Sequence, residues 1–269
     1  MKKTLLFLLL FVSFVAPPQN WEGVITWKIT SEMDAATKAK MDAAQKQMND
    51  PANQAQMKEM KEKMNDPQFK AMMESNPQMK AQMEQMLKMM EGGNINSLMP
   101  TGFRVKIKDQ NTLSIMDGGM MGGMEILYRK DKGTTYRLDR EAKTYSVLST
   151  AGLDTMKMSD VKITKTGETA KILNYPCTKY VAESTIQGQS VQQIFWTTTA
   201  IKDLDMKSLA HQKMGNGQQA MFYEKIDGVP LKIEIKQQQL GMIMEVTELK
   251  KQSLSAGEFV IPKDFKETK

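Results

Sequence analysis

The stretch Met99-Pro-Thr-Gly-Phe-Arg-Val-Lys-Ile-Lys108 marks a change of period that decides the fold. From Phe103 onward, Phe103, Val105 and Ile107 alternate with Arg104, Lys106 and Lys108. A period of two is that of a strand with one buried face. Upstream, residues 32–97 are dominated by Met, Lys, Gln, Ala, Glu and Asn, with few β-branched residues. That is helix composition. Downstream, Leu113 and Ile115 continue the strand pattern.

Short strands are then predicted around 126–130, 134–139, 143–148, 161–165, 178–184, 191–197, 220–225, 231–236 and 242–249. Asp131-Lys132-Gly133, Asp139-Arg140, Gln187-Gly188 and Asp227-Gly228 separate some of them as turns. Many short strands at this spacing point to a sandwich, barrel or half-barrel, and no βαβ crossover is visible. One short helix is predicted from Asp203 to His211. Residues 98–269 therefore read as an antiparallel β domain. Its first strand lies earlier, at 21–31, where Val24, Thr26 and Lys28 alternate with Ile25, Trp27 and Ile29. The fold class is mainly β with a helical insertion after the first strand.

The insertion, 32–97, is punctuated by Asp50-Pro51, Asp66-Pro67 and Asn76-Pro77. Asp or Asn can cap free backbone N–H groups while Pro takes the first helical position. The same prolines would break one long rod. Several short helices are predicted, ending at Gly92-Gly93. Met57, Met60 and Met64 fall at i, i+3, i+7, and Met79, Met83, Met86 and Met90 at i, i+4, i+7, i+11. Each set makes one apolar stripe.

At the N-terminus, Lys2 and Lys3 precede an apolar run from Leu5 to Val12 that resumes after Ser13. About 12 residues rise about 18 Å as a helix, short of the roughly 30 Å of hydrocarbon in a bilayer. Residues 1–20 are thus expected to be a signal peptide, cleaved between Ala16 and Asn20. The mature chain is expected in the periplasm or outside the cell, with no transmembrane segment and no lipid-anchor cysteine.

The net charge of +6 is spread along the chain rather than clustered, which argues against nucleic acid. Cys177 is the sole cysteine and reads as a buried, inert thiol between Tyr175 and Tyr180. His211 is the sole histidine. A Ser/Cys–His pair would have to use it, and no Gly-x-Ser-x-Gly turn, metal motif, P-loop or dinucleotide glycine pattern is present. No enzyme activity and no cofactor are expected.

Of 26 methionines, 18 lie between Met33 and Met124. Flexible thioethers fill irregular gaps in helix packing, and Met-rich faces re-pack around varied apolar ligands. Thioethers are also soft ligands for Cu(I) or Ag(I). Met116, Met120, Met121 and Met124, on and beside a glycine-rich loop, are the candidate metal set. All three roles stay open.

The order of strand, helices and long meander resembles the LolA/LolB lipoprotein-carrier group. Several segments resemble an exported family of that group, domain of unknown function 4412. They are Trp21-Glu-Gly-Val-Ile-Thr-Trp27, Ile126-Leu-Tyr-Arg-Lys, Thr134-Thr-Tyr-Arg-Leu-Asp139, Ile172-Leu-Asn-Tyr-Pro-Cys-Thr-Lys-Tyr180, Phe195-Trp-Thr-Thr and Gly228-Val-Pro-Leu-Lys-Ile. The resemblance implies a curved antiparallel half-barrel whose concave face, covered by helices, holds an acyl chain. Its ligand would be a lipid or a lipoprotein segment. The candidate lining is Trp27, Phe103 and Tyr128 with Met57, Met60, Met64, Met79, Met83, Met86 and Met90. Separately, Asp66-Pro-Gln-Phe-Lys-Ala-Met-Met-Glu-Ser-Asn-Pro-Gln-Met79 is similar to the helical repeats of STI1-type co-chaperone modules.

Overall fold

A computed structural model describes residues 21–64, 66–69, 99–148, 161–186, 189–204, 225–236 and 240–268. β1 (Gly23–Met33) leads into two helices, α1 (Ala35–Met48) and α2 (Pro51–Met64). Then follow β2 (Gly102–Lys108), β3 (Asn111–Asp117), β4 (Glu125–Arg129), β5 (Thr134–Asp139) and β6 (Thr144–Val147). β7 (Lys162–Ile172), β8 (Tyr175–Ile186), β9 (Gln189–Thr198), β10 (Val229–Lys236) and β11 (Leu240–Lys251) come next. A 3-10 helix (Ala256–Phe259) and β12 (Lys266–Glu267) complete the order.

All twelve strands among the described residues join one sheet, ordered β12-β6-β5-β4-β3-β2-β1-β11-β10-β9-β8-β7. The protein is mostly β, and the sheet is open. β1 sits in the middle, antiparallel to β2 on one side and β11 on the other. The first strand therefore joins two meanders that are far apart in sequence. The purely antiparallel expectation needs one correction: β12 pairs with β6 in parallel, Lys266 opposite Thr144. The chain after β11 crosses the sheet and arrives at β6 in the same direction, so no hairpin forces it antiparallel.

Two hairpins turn on two residues with left-handed backbone, Asp109-Gln110 (φ 50°, 62°) and Leu173-Asn174 (φ 47°, 68°). Such turns match the twist of the strands they join. Gly228, at φ +83°, could carry no side chain, because a Cβ there would lie 2.3 Å from the Thr198 carbonyl oxygen.

β1 runs to Met33, past the expected boundary at 31, because it keeps its register with β11 up to Leu240. Asp34 then caps α1, accepting the Thr37 N–H at 2.6 Å. Asp50 accepts the Ala52 N–H at 2.9 Å at the start of α2, as the Asp-Pro pattern predicts. Asp66 does the same for Gln68 and Phe69. The start at Asn76-Pro77 lies outside the described residues. So do 205–211 of the predicted helix and 220–224 of one predicted strand, whose last residue, Lys225, is in a turn.

The sheet carries two buried layers. On one side, here the core face, Ile25, Trp27 and Ile29 pack with Phe103, Val105, Ile107, Met116, Phe195, Leu231, Ile233, Met244 and Val246. On the other, the tail face, Leu113, Leu127, Tyr136 and Leu138 are covered by Leu254 and Phe259 from the C-terminal tail. Ion pairs pin that tail, Lys106 to Glu258 and Lys143 to Asp264, and Glu22 beside it is paired with Lys108. Glu22 also accepts the Leu254 N–H.

Candidate ligand-binding face

The core face gathers the aromatic residues that the sequence singles out. Trp27 and Phe103 are register partners on β1 and β2, with rings stacked at 5.5 Å and 11°. Phe103 in turn faces Met116 on β3. Two rows further along the same face, Ile107, Thr112, Tyr128 and Thr135 stand side by side on β2, β3, β4 and β5. Between these rows lies a third: Ile25, Val105, Ser114, Ile126, Arg137 and Ser146. Trp27, Phe103 and Tyr128 thus share one face, and all three are buried. Burial pushes the Tyr128 phenol above its ordinary pKa.

The same face holds polar groups that packing does not explain. The Thr112 and Ser114 hydroxyls and the Gln193 side-chain carbonyl are buried and make no hydrogen bond among the described residues. An unsatisfied buried polar group costs about 1–3 kcal/mol, so each one calls for a reason. Thr112 and Ser114 border Tyr128 and Ile126 directly. Gln193 sits on β9, one strand from Ile235 and Ala182.

Sequence reasoning missed these residues. It singled out Leu113 and Ile115 on β3, which pack into the buried cluster of the tail face. The two-residue turn at Asp109-Gln110 places Ile107 opposite Thr112 and so puts Thr112 and Ser114 under the core. Reading that turn would have exposed them.

The methionines divide. Met57, Met60 and Met64 lie on α2. Met79, Met83, Met86 and Met90 lie outside the described residues. In the β3–β4 connection, the Met116 N–H donates to the Met124 carbonyl at 3.0 Å, and the Gly123 N–H donates back to Met116 at 2.9 Å. Met116 is buried and Met124 packs against the same cluster. Met120 is half-buried, whereas Met121 is 45% exposed. Among the described residues, no group of three His, Cys, Asp or Glu side chains is placed to hold a metal ion. None of the described helices is long and apolar enough to cross a membrane. Cys177 is buried, its thiol pKa raised by desolvation, with Sγ 3.6 Å from the Tyr175 carbonyl oxygen. His211 lies outside the described residues.

The sequence model of a domain of unknown function, DUF4412, matches residues 72–265. The chain belongs to the DUF4412 family. In this DUF4412 protein the match takes in β2 to β11 and the 3-10 helix, and leaves β1, α1 and α2 before it. Of the segments that carry the resemblance, Trp21–Trp27 falls outside the match and the others fall within it. No curated protein matches the chain. Among solved structures it is similar to the protein of "Structure of PNGF-II in C2 space group", at 14% identity and a TM-score of 0.36. That alignment covers 62% of this chain and 28% of the other, so the chain spans under a third of that protein's length.

Proposed function

We propose that this DUF4412 protein is an exported, non-catalytic carrier that binds a hydrophobic ligand, an acyl chain or a lipoprotein segment, on the core face of its sheet. In this reading residues 1–20 are a cleaved signal peptide and the mature chain works in the periplasm. The sheet acts as a LolA-like curved half-barrel, and the Met-rich insertion after β1 offers an adaptable apolar surface to the ligand. The observation that carries it is the pair of buried hydroxyls, Thr112 and Ser114, without partners among the described residues, on the face that also bears Trp27, Phe103 and Tyr128. An apolar wall with a few convergent polar groups is the usual composition of a small-molecule site. Apolar burial drives binding at roughly 25 cal/mol per Å², less the ordering costs. Native mass spectrometry of protein released gently from its host tests this. A bound mass that organic solvent extracts is the expected result. A uniformly ligand-free mass, together with no uptake of fluorescent fatty acids, contradicts it.

A second reading is Cu(I) or Ag(I) binding at the glycine-rich hairpin. It is favoured by the backbone pairing that brings Met116 beside Met124, with Met120 and Met121 between them. Met-to-Leu changes keep volume and so spare the fold. Under this reading, replacing all four with leucine lowers Cu(I) affinity measured against a competing chelator. Unchanged affinity removes the hairpin as the site.

A further inference from the structure

The chain has four arginines, Arg104, Arg129, Arg137 and Arg140. Three are paired: Arg104 with Asp117, Arg129 with Asp131, and Arg140 with Glu125. The fourth, Arg137, has no hydrogen-bond or ion-pair partner among the described residues. It stands on β5 in a cleft of about 270 Å³ lined also by Asp139, Thr144, Tyr145, Ser146 and Thr268. Ser146 is its register partner on β6. The hydroxyls of Thr144 and Ser146 are likewise unengaged among the described residues, while Thr268 donates to the Tyr145 carbonyl oxygen at 3.2 Å. Asp139 is the one acid among the described residues that line the cleft. Its Oδ1 accepts the Ala142 N–H at 2.8 Å and it makes no ion pair with Arg137.

The position of the cleft gives these groups meaning. Ile126, the neighbour of Arg137 on β4, is buried, and beyond it on the same row come Ser114, Val105 and Ile25. Along one cross-strand row the side chains therefore pass from a buried apolar wall, past a buried hydroxyl, to an exposed guanidinium at the β5–β6 edge, the last two without partners among the described residues. Neighbouring strands lie about 4.8 Å apart, so Arg137 is about 10 Å from Ser114. That separation suits one amphiphile, with its chain along the wall and its head in the cleft. A guanidinium flanked by hydroxyls matches the planar oxygen pair of a carboxylate or two oxygens of a phosphate.

We infer that the ligand is an amphiphile with an oxyanion head group, and that Arg137, with Ser146 and Thr144, holds that head at the β5–β6 edge. The inference rests on the carrier reading and names the chemical class of its ligand.

The test titrates the full mature chain with a fluorescent 16-carbon fatty acid, its alcohol analogue and inorganic phosphate. Each is repeated on Arg137→Gln, whose exposed side chain can change without disturbing the core. The acid is expected to bind wild type about tenfold tighter than the alcohol, the size of one lost charge-assisted contact. Arg137→Gln is expected to remove that difference and leave alcohol binding unchanged. Equal binding of acid and alcohol to wild type overturns the inference while leaving the carrier reading intact, as does an Arg137→Gln protein that still prefers the acid. Phosphate binding as tight as the acid, and lost in Arg137→Gln, overturns it in favour of a site for free oxyanions. If neither acid nor alcohol binds, the carrier reading itself fails, and the inference with it.

Discussion

Replacing Thr112 with valine and Ser114 with alanine stabilises the folded protein. Both hydroxyls are buried and without partners among the described residues, so folding strips them of water and returns no hydrogen bond there. Each such group costs about 1–3 kcal/mol. Valine keeps the shape of threonine, and alanine leaves only the volume of one oxygen. The two positions are two residues apart on one strand face, about 7 Å, and share no bonding partner, so their effects add to within about 0.5 kcal/mol. The double variant should gain about 2–6 kcal/mol, or about 4–12 °C in melting temperature at roughly 2 °C per kcal/mol for a chain of this size. Urea unfolding followed by tryptophan fluorescence gives the number, with an unchanged slope showing that only stability moved. Loss of stability in the double variant would refute the reasoning, since it would mean that the hydroxyls are satisfied and structural. The same variant should bind an acyl probe more weakly, because polar groups kept at a cost to stability are kept for function.

Acid should release the C-terminal tail before the sheet unfolds. Glu22 is held below its ordinary pKa by the hydrogen bond from Lys108 and then by the Leu254 N–H. Glu258 is lowered by Lys106, and Asp264 by Lys143. Depressed carboxylates stabilise the fold above their unfolded-state values and lose that contribution as the pH falls through 4.5, the ordinary glutamate value, and below. Pepsin should therefore cut between β11 and β12 first at low pH, and uniform resistance there would contradict the clamp. Cys177 should resist iodoacetamide in the native state and react on unfolding; labelling at the rate of a free thiol would show that it is not buried. Leu173, exposed at φ 47°, occupies a turn position that suits asparagine or glycine. Leu173→Asn should stabilise by about 0.5–1 kcal/mol, and a lower urea midpoint would mean that the leucine makes a contact of its own.

Local alternation made most strands legible. Thr134–Asp139 was readable to the residue because Thr135, Tyr136 and Leu138 sit between clear turns, and Leu231, Ile233 and Ile235 announced β10. Long-range pairing was not legible. Nothing in the sequence near Gly23 says that it will lie opposite Lys251, or that β12 will run parallel to β6. The tail from Leu254 to Phe265 has no period at all, yet Leu254 and Phe259 seal one face of the sheet. Of the candidate site, Trp27, Phe103 and Tyr128 were visible as large apolar positions in alternating strands. Thr112, Ser114 and Arg137 were not, because their roles depend on which face a one-residue register choice assigns them.

The central claim, that the core face takes up an acyl chain, is tested most directly by energy transfer from tryptophan to an environment-sensitive acyl probe. The account predicts saturable binding of one probe per mature chain, with transfer reduced in Trp27→Phe. Absence of saturation at tens of micromolar probe, or transfer unaffected by Trp27→Phe, would contradict it.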